Sequence, residues 1–128
     1  MIHGVGTDIV AIARIERMLS EHGARTAAKL LADSEMEGYR QAARPAAFLA
    51  KRFAAKEALG KALGLGLREP ATLHNIAISS DGLGRPGFEF APSLADWMRA
   101  RRLHAHLSLS DEADTAVAFV VVETEDKP

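Results

Sequence analysis

The segment Arg52-Phe53-Ala54-Ala55-Lys56-Glu57-Ala58-Leu59-Gly60-Lys61-Ala62-Leu63-Gly64 decides how the rest of the chain is read. It is the second half of a predicted helix that opens at Pro45, because proline suits a first helical position, where its missing N–H has no intrahelical partner. Gly64 and Gly66 supply the stop. At about 100° per residue, Phe53, Glu57 and Lys61 share one face, flanked by Ala50, Ala54, Gly60 and Gly64. Phe48, Ala55, Leu59 and Ala62 lie opposite and predict the core stripe. A carboxylate and an ammonium therefore stand one helical turn apart on a face of very small side chains. One reading is an ordinary i,i+4 ion pair, worth about 0.2–0.5 kcal/mol. The other starts from Gly60, which costs about 1 kcal/mol relative to alanine inside a helix. A glycine there suits a group that must approach the backbone, such as a phosphate near Lys61 with a cation held at Glu57. The helix alone leaves both readings open.

At 128 residues the chain is expected to form one domain, 1–128, around one core. Hydrophobic content is 48% but aromatic content only 5%, so that core is built from alanine, leucine, valine and isoleucine. A formal net charge of -1 gives no global basic field, which argues against a nucleic-acid-binding α+β domain. The absence of cysteine excludes disulfides and thiolate metal sites. The N-terminus lacks the pattern of a signal peptide. The longest apolar run, Ala116 to Val122, is too short to cross a bilayer. The expectation is a cytoplasmic protein with no membrane association.

Ile2 to Val10 reads as a first strand, with Gly4 and Gly6 marking a bulge or a close backbone approach. Gly4-Val5-Gly6-Thr7-Asp8-Ile9 fails the dinucleotide fingerprint, because Ile9 sits where the third glycine belongs. Asp8 stands where the strand is expected to give way to a helix, in the place of an N-cap or turn residue. Ile12 to Glu21 has a helical period, with Ile12, Ile15 and Leu19 inward and His22-Gly23 as the end. Arg14, Met18, Arg25 and Lys29 make a basic, partly apolar face, either solvated or able to meet an acidic partner helix. Ser34 and Glu37 suggest a capping box for a weak helix that runs to Ala43. Asn75 to Ser79 and Phe88 to Phe90 form a hairpin across Asp81-Gly82 and Gly84, with Pro86 at an edge or bulge. A short helix follows Pro92, from Leu94 to Arg101. His104 to Ser110 alternates cleanly, Asp111 to Asp114 is an acidic turn, and Ala116 to Glu123 is apolar on both faces, hence central. Thr124 to Pro128 reads as a frayed tail. His104 and His106 read as surface or interface residues rather than zinc ligands. Ser108 and Ser110 lack the partners of a hydrolase triad. The order of elements argues an α+β fold, with a long central helix packed on a mainly antiparallel sheet.

Three segments together resemble the holo-acyl-carrier-protein synthases, the small bacterial 4′-phosphopantetheinyl transferases. They are Gly4-Val5-Gly6-Thr7-Asp8-Ile9-Val10, then Arg52-Phe53-Ala54-Ala55-Lys56-Glu57-Ala58 with Lys61-Ala62 and Gly64, then Leu107-Ser108-Leu109-Ser110 before a turn and an apolar strand. The resemblance covers essentially the whole chain. It implies the 4′-phosphopantetheinyl transferase fold. It also implies a reaction in which the phosphopantetheine arm of coenzyme A moves onto a serine of apo acyl carrier protein, releasing 3′,5′-ADP for the benefit of fatty acid biosynthesis. Asp8, Glu57 and Lys61 are the implied catalytic residues, with Asp8 and Glu57 on Mg2+. Arg52, Lys61, Gly64, Pro86 and Ser110 are implied at coenzyme A. Arg14, Met18 and Arg25 are implied at the carrier protein. Family members form homotrimers with active sites at subunit interfaces.

The residue types suit that chemistry. Magnesium takes one or two carboxylates plus substrate phosphates, and phosphoryl transfer needs mainly positioning and charge stabilisation. Lysine is a compact, mobile charge for the second task. The general base stays open between Glu57, acting directly or through a water on the metal, and Asp111. The chain departs from the family pattern twice. Many members read Ser-x-Ser-His where this chain has Ser108-Leu109-Ser110-Asp111, so the histidine's role is not carried to Asp111. Members also often have a glutamate at the position of Ala11. The competing reading is a non-catalytic coenzyme-A-binding or interaction module of the same fold, which would have no need for Asp8, Glu57 and Lys61 together.

Overall fold

A computed structural model describes residues 1–125. Strand β1 (Ile2–Ala11) leads into helices α1 (Ile12–His22) and α2 (Ala24–Leu30), a 3-10 turn (Asp33–Glu35) and α3 (Met36–Arg40). The long helix α4 (Pro45–Leu63) follows, then strands β2 (Ile76–Ser80) and β3 (Pro86–Phe90), helix α5 (Pro92–Ala100), and strands β4 (Leu103–Asp111) and β5 (Thr115–Thr124). The strands form two antiparallel sheets, a three-stranded one in the order β1-β5-β4 and a two-stranded one of β2 and β3. The fold is thus α+β, with α4 lying on the three-stranded sheet. Among the described residues, no helix is long and apolar enough to cross a membrane.

The expected helix from Pro45 to its glycine stop is present, and Gly64 closes it in the left-handed region at φ 79°. Its expected single core stripe is not. Ala47, Leu49, Ala50, Phe53, Ala54, Ala55, Lys56, Ala58, Leu59, Gly60, Ala62 and Leu63 are all buried. The helix is surrounded by β1, β5, β4, α1, α2, α3 and β2, so burial follows its whole circumference. The expected close approach at Gly60 is real, but the group that approaches belongs to the chain. A Cβ on Gly60 would stand 2.6 Å from the carbonyl oxygen of Gly66, and the Leu65 and Gly66 N–H groups each donate to the Gly60 carbonyl at 3.0 Å.

Gly4 and Gly6 do the work expected of them. The strand register shifts between Ile2 and Gly4, and a Cβ would come to 2.1 Å from the Ala62 oxygen at Gly4 and 2.0 Å from the Ala58 oxygen at Gly6. Strand β1 and helix α4 therefore touch backbone to backbone.

Several local expectations change. Asp8 is not an N-cap: β1 continues to Ala11, which caps α1 without a side-chain bond. The Ile12 N–H donates instead to Asp114 O at 2.9 Å, in the β4–β5 turn. The capping box is not Ser34 with Glu37 but the Ala32 N–H donating to Glu35 Oε1 at 2.8 Å, and the helix that follows stops at Arg40 rather than Ala43. A side-chain carboxylate closer to the chain reversal wins this local competition. Strand β5 is central as expected and includes Thr124; residues 126–128 of the expected tail lie outside the described residues. Its two faces differ, however. Ala116, Ala118, Val120 and Val122 are buried under α4, whereas Phe119 is 46% exposed between the rows that carry Val5 (56%) and Ile9 (67%) on β1.

Gly6→Ala tests the strand–helix contact. The added methyl overlaps a helix carbonyl that has nowhere to move, so a loss of about 3 kcal/mol or more is expected in urea unfolding. A loss below about 1 kcal/mol would mean that the helix can retreat from the strand at little cost.

Candidate active site

Along β1, Gly4, Gly6, Asp8 and Val10 face α4 and the alternate residues face outward. The two glycines bring the helix down onto the strand, and Asp8 is the next inward side chain. Its Oδ1 accepts from Lys61 Nζ at 3.2 Å, and Lys61 also donates to Thr7 O at 2.9 Å. The Asp8 side chain is 19% exposed and that of Lys61 52%, so the ammonium lies at the mouth of the site and the carboxylate within. Glu57, one turn before Lys61, is half-buried. Burial pushes its carboxyl above the ordinary range, the negative charge of Asp8 adds to that, and Lys61 and Arg14 oppose it. The Arg14 guanidinium reaches this side of α4 by lying 5.3 Å from the centre of the Phe53 ring.

Two mutually repelling carboxylates beside a cation are a donor set that fits a hard divalent ion. Among the described residues, no group of three or more histidine, aspartate or glutamate side chains is placed to hold a metal. A cation held by Asp8 and Glu57 would therefore complete its shell with oxygens from a ligand or water. Gly64 closes α4 on the same side, one turn beyond Gly60.

The other sequence-predicted residues stand elsewhere. Arg52 and Lys61 are nine residues apart, which places them on opposite sides of α4 and about 13 Å apart along its axis. Arg52 and Pro86 line a cavity of about 250 Å³ together with Phe48, Lys51, Leu109 and Asp111. Ser110 precedes Asp111 on the outer face of β4 and is exposed. Asp111 does not leave the cavity negative, because its Oδ1 lies 3.6 Å from Lys51 Nζ. Asp8 is in register with Ala118, and Ala118 with Leu109. The Asp8–Glu57–Lys61 group and the Arg52 cavity thus occupy the two opposite edges of one sheet, with α4 between them.

On α1 and α2, Met18 and Arg25 do come together, lining a groove of about 380 Å³ with His22, Thr26 and Lys29. Arg14 lies one turn before Met18, toward Glu57. His104 and His106 are exposed, pairing with Glu125 at 3.1 Å and Glu123 at 2.7 Å. Three charged residues at or behind these sites escaped the sequence reading: Lys51, Glu35 and Lys56. Glu35 is 3% exposed and Lys56 is fully buried. The only signal for Lys56 was a lysine in a row with Leu49, Leu59 and Leu63, and nothing in the spacing pointed to its partner.

The chain matches the family model of the 4′-phosphopantetheinyl transferase superfamily over residues 4–120. The chain belongs to that superfamily, and within it to the holo-[acyl-carrier-protein] synthases. It is 57% identical to a holo-[acyl-carrier-protein] synthase of Azoarcus sp. (strain BH72), over 97% of this chain and 99% of that one. The crystal structure of the holo-[acyl-carrier-protein] synthase of Neisseria meningitidis superposes with a TM-score of 0.94 at 45% identity, over 97% of this chain and 100% of that one. The Bacillus anthracis synthase, in complex with CoA (3′,5′-ADP), gives a TM-score of 0.82 at 32% identity, over 98% and 99% of the two chains.

The pKa shift at Glu57 predicts a stability signature. A carboxyl raised in the folded chain binds its proton more tightly folded than unfolded, so stability falls as pH rises through the interval above the ordinary carboxylate value. Glu57→Gln removes that penalty. In metal-free buffer the variant is expected to melt above the parent at about pH 7, and level with it below about pH 4. An unchanged or lower melting temperature at neutral pH would show that Glu57 is not held against its own ionisation.

Proposed function

We propose that the chain transfers the 4′-phosphopantetheine arm of coenzyme A to a serine hydroxyl of apo acyl carrier protein, releasing 3′,5′-ADP, in service of fatty acid biosynthesis. The observation that carries this reading is the convergence of Asp8, Glu57 and Lys61 at one point of β1 and α4, in a chain that belongs to the holo-[acyl-carrier-protein] synthases. Asp8 and Glu57 are the residues that would hold Mg2+. Bound there, the ion would supply Lewis-acid polarisation of the attacked phosphoryl group and neutralise the 5′-phosphate of the departing 3′,5′-ADP.

The protein's own groups do the rest. Lys61 swings a compact positive charge between Asp8 and the phosphates of the substrate. The serine oxygen forms the new bond to phosphorus, the bond from phosphorus to the 3′,5′-ADP oxygen breaks, and Glu57 takes the serine proton. Asp111, the other acid considered for that role, is engaged with Lys51 at 3.6 Å. The carrier protein docks on α1 and α2, where Arg14, Met18 and Arg25 present positive charge and an apolar groove to an acidic helix. Arg14 links that surface to Glu57.

The separation of the two half-sites supports a homotrimer. Arg52 and Pro86 line the cavity beside the β4 edge and Ser110 stands on the outer face of that strand, whereas Asp8, Glu57, Lys61 and Gly64 lie at the β1 edge of the same sheet. One coenzyme A molecule reaches both sets when the β1 edge of one copy meets the β4 edge of the next. Such a contact joins unlike edges, so it closes as a ring of three or more and not as a two-fold dimer. The uncovered apolar rows Val5–Val121, Thr7–Phe119 and Ile9–Val117 supply the surface to bury.

Incubation with coenzyme A, Mg2+ and apo acyl carrier protein is expected to add the mass of phosphopantetheine to the carrier, read by intact-mass spectrometry, and chelation of the metal is expected to stop it. No mass gain on any bacterial carrier rejects the transferase reading. Glu57→Gln is expected to keep the fold and lose about 100-fold in turnover, since several kcal/mol of charge stabilisation is removed. Phe119→Asp is expected to yield a folded monomer, by light scattering, with no measurable turnover. A monomer that retains full activity would dismiss the shared site.

A further inference from the structure

We propose that Glu35 is a positioning residue for coenzyme A, holding the Arg52 guanidinium so that its unused edge serves a phosphate group in the cavity beside it. The inference rests on reading Arg52 as a coenzyme A contact.

Glu35 is remote in sequence from every residue assigned to the reaction, and it is almost wholly buried, its side chain 1% exposed. A carboxylate in such a place must be fully hydrogen-bonded. Both of its oxygens are. Oε1 accepts from Lys56 Nζ at 2.6 Å and from the Ala32 N–H at 2.8 Å, while Oε2 accepts from Arg52 Nη1 and the Ile78 N–H, each at 3.0 Å. Arg52 Nη1 spends its second hydrogen on the Ile78 carbonyl. The guanidinium also lies 4.2 Å from the centre of the Phe48 ring. One nitrogen is thus anchored at two points and one face is stacked, which leaves the flat group no rotational freedom.

An arginine carries five N–H donors in a planar fork. Among the described residues, the N–H groups on Nε and Nη2 make no hydrogen bond, and Arg52 lines the cavity with Lys51 and Pro86. Two roles therefore divide within one cluster. Lys56 saturates all its donors inward, on Leu30 O, Leu73 O and Glu35, and serves the fold. Glu35 also fixes a group that points outward. Neutralising Glu35 leaves Arg52 its stacking on Phe48 and its bond to the Ile78 carbonyl but weakens the charged one of its two anchors.

The experiment compares Glu35→Gln, Lys56→Met and Arg52→Ala in the full chain, with coenzyme A and apo acyl carrier protein as substrates and 3′,5′-ADP binding followed by calorimetry. Glu35→Gln is expected to raise KM for coenzyme A and Kd for 3′,5′-ADP by about tenfold, with kcat and KM for the carrier held within about twofold. Lys56→Met is expected to lower the melting temperature while leaving KM for coenzyme A within about twofold, a split that a purely structural cluster would not produce. If Glu35→Gln does not fold, the Glu35→Gln/Lys56→Met double variant removes both buried charges together and is read in the same way. An unchanged KM for coenzyme A in the folded Glu35 variant, or equal changes for both substrates, overturns the positioning role. An Arg52→Ala variant that binds 3′,5′-ADP normally overturns the reading of Arg52 itself, which is a separate failure.

Discussion

Everything at the β1 edge depends on the contact between two glycines and the backbone of a helix. At Gly4 and Gly6 the strand has no side chains on its inner face, and the carbonyls of Ala62 and Ala58 occupy the space where Cβ atoms would be. Glycine weakens a strand by widening the freedom of the unfolded chain. Here that cost is offset by pairing of β1 with β5 along almost its whole length. What the close approach does for the site is geometric. An aspartate has only one methylene between backbone and carboxyl, so Asp8 meets Lys61 and acts on Glu57 because the helix stands so near. The small residues at Ala54, Ala58 and Ala62 on the helix belong to the same arrangement. They let α4 pass over the sheet without a ridge of side chains.

The opposite flank of α4 is held by charge instead of contact between backbones. Among the described residues the two-stranded sheet makes no ladder with the three-stranded one, so β2 needs another means of attachment. Glu35 and Arg52 provide it by binding the N–H and the C=O of Ile78, two of the polar groups that β2 turns away from β3. Lys56 adds bonds to the end of α2 and to the loop before β2, through Leu30 O and Leu73 O. Burial pushes the Lys56 ammonium below its ordinary pKa, and the Glu35 carboxylate pulls it back. Burying such ions is expensive, and an apolar cluster of the same size is often no less stable. An apolar cluster would not satisfy the five backbone groups that these side chains bind, and among the described residues no buried side-chain nitrogen or oxygen is left without a partner.

These two flanks explain what could be read from the residues alone. Elements marked by local chemistry were legible: the Pro45 opening and Gly64 stop of α4, the alternation of β4, and the central place of β5. That Glu57 and Lys61 share a face of α4 was legible from helical spacing, whereas the meeting of Asp8 with them was an expectation carried by the family resemblance alone. Two things were not. The burial of α4 has no single direction, so a wheel that sorts residues into core and surface assigns Lys56 wrongly. The Glu35–Lys56 pair spans 21 residues, and no periodicity links positions in separate elements. Ser34 and Glu37 satisfied the spacing of a capping box, yet Glu35 lay nearer the free Ala32 N–H and took it. Asp8 looked like a cap because the strand was expected to end there, and β5 carried β1 three residues further.

The same cluster resolves the one departure from the family pattern that looked hostile to an anionic substrate. An aspartate at position 111 lines the cavity proposed above to receive a phosphate. Its charge is met at 3.6 Å by Lys51, and that of Glu35 is shared by Lys56 and Arg52. Three cations therefore face two carboxylates, and the wall keeps one unit of positive charge. That remaining charge is not placed evenly. Lys56 is sealed from solvent and Lys51 is engaged with Asp111, whereas the Arg52 side chain is 18% exposed. The attraction for a phosphate is thereby concentrated on the one cation whose orientation is fixed. A planar group held at one nitrogen and stacked on a ring selects the direction of its partner as well as its charge. An aspartate at the position where the family pattern has histidine is compatible with the proposed anion binding because Lys51 answers its charge, so that the outward edge of Arg52 is not drawn to it.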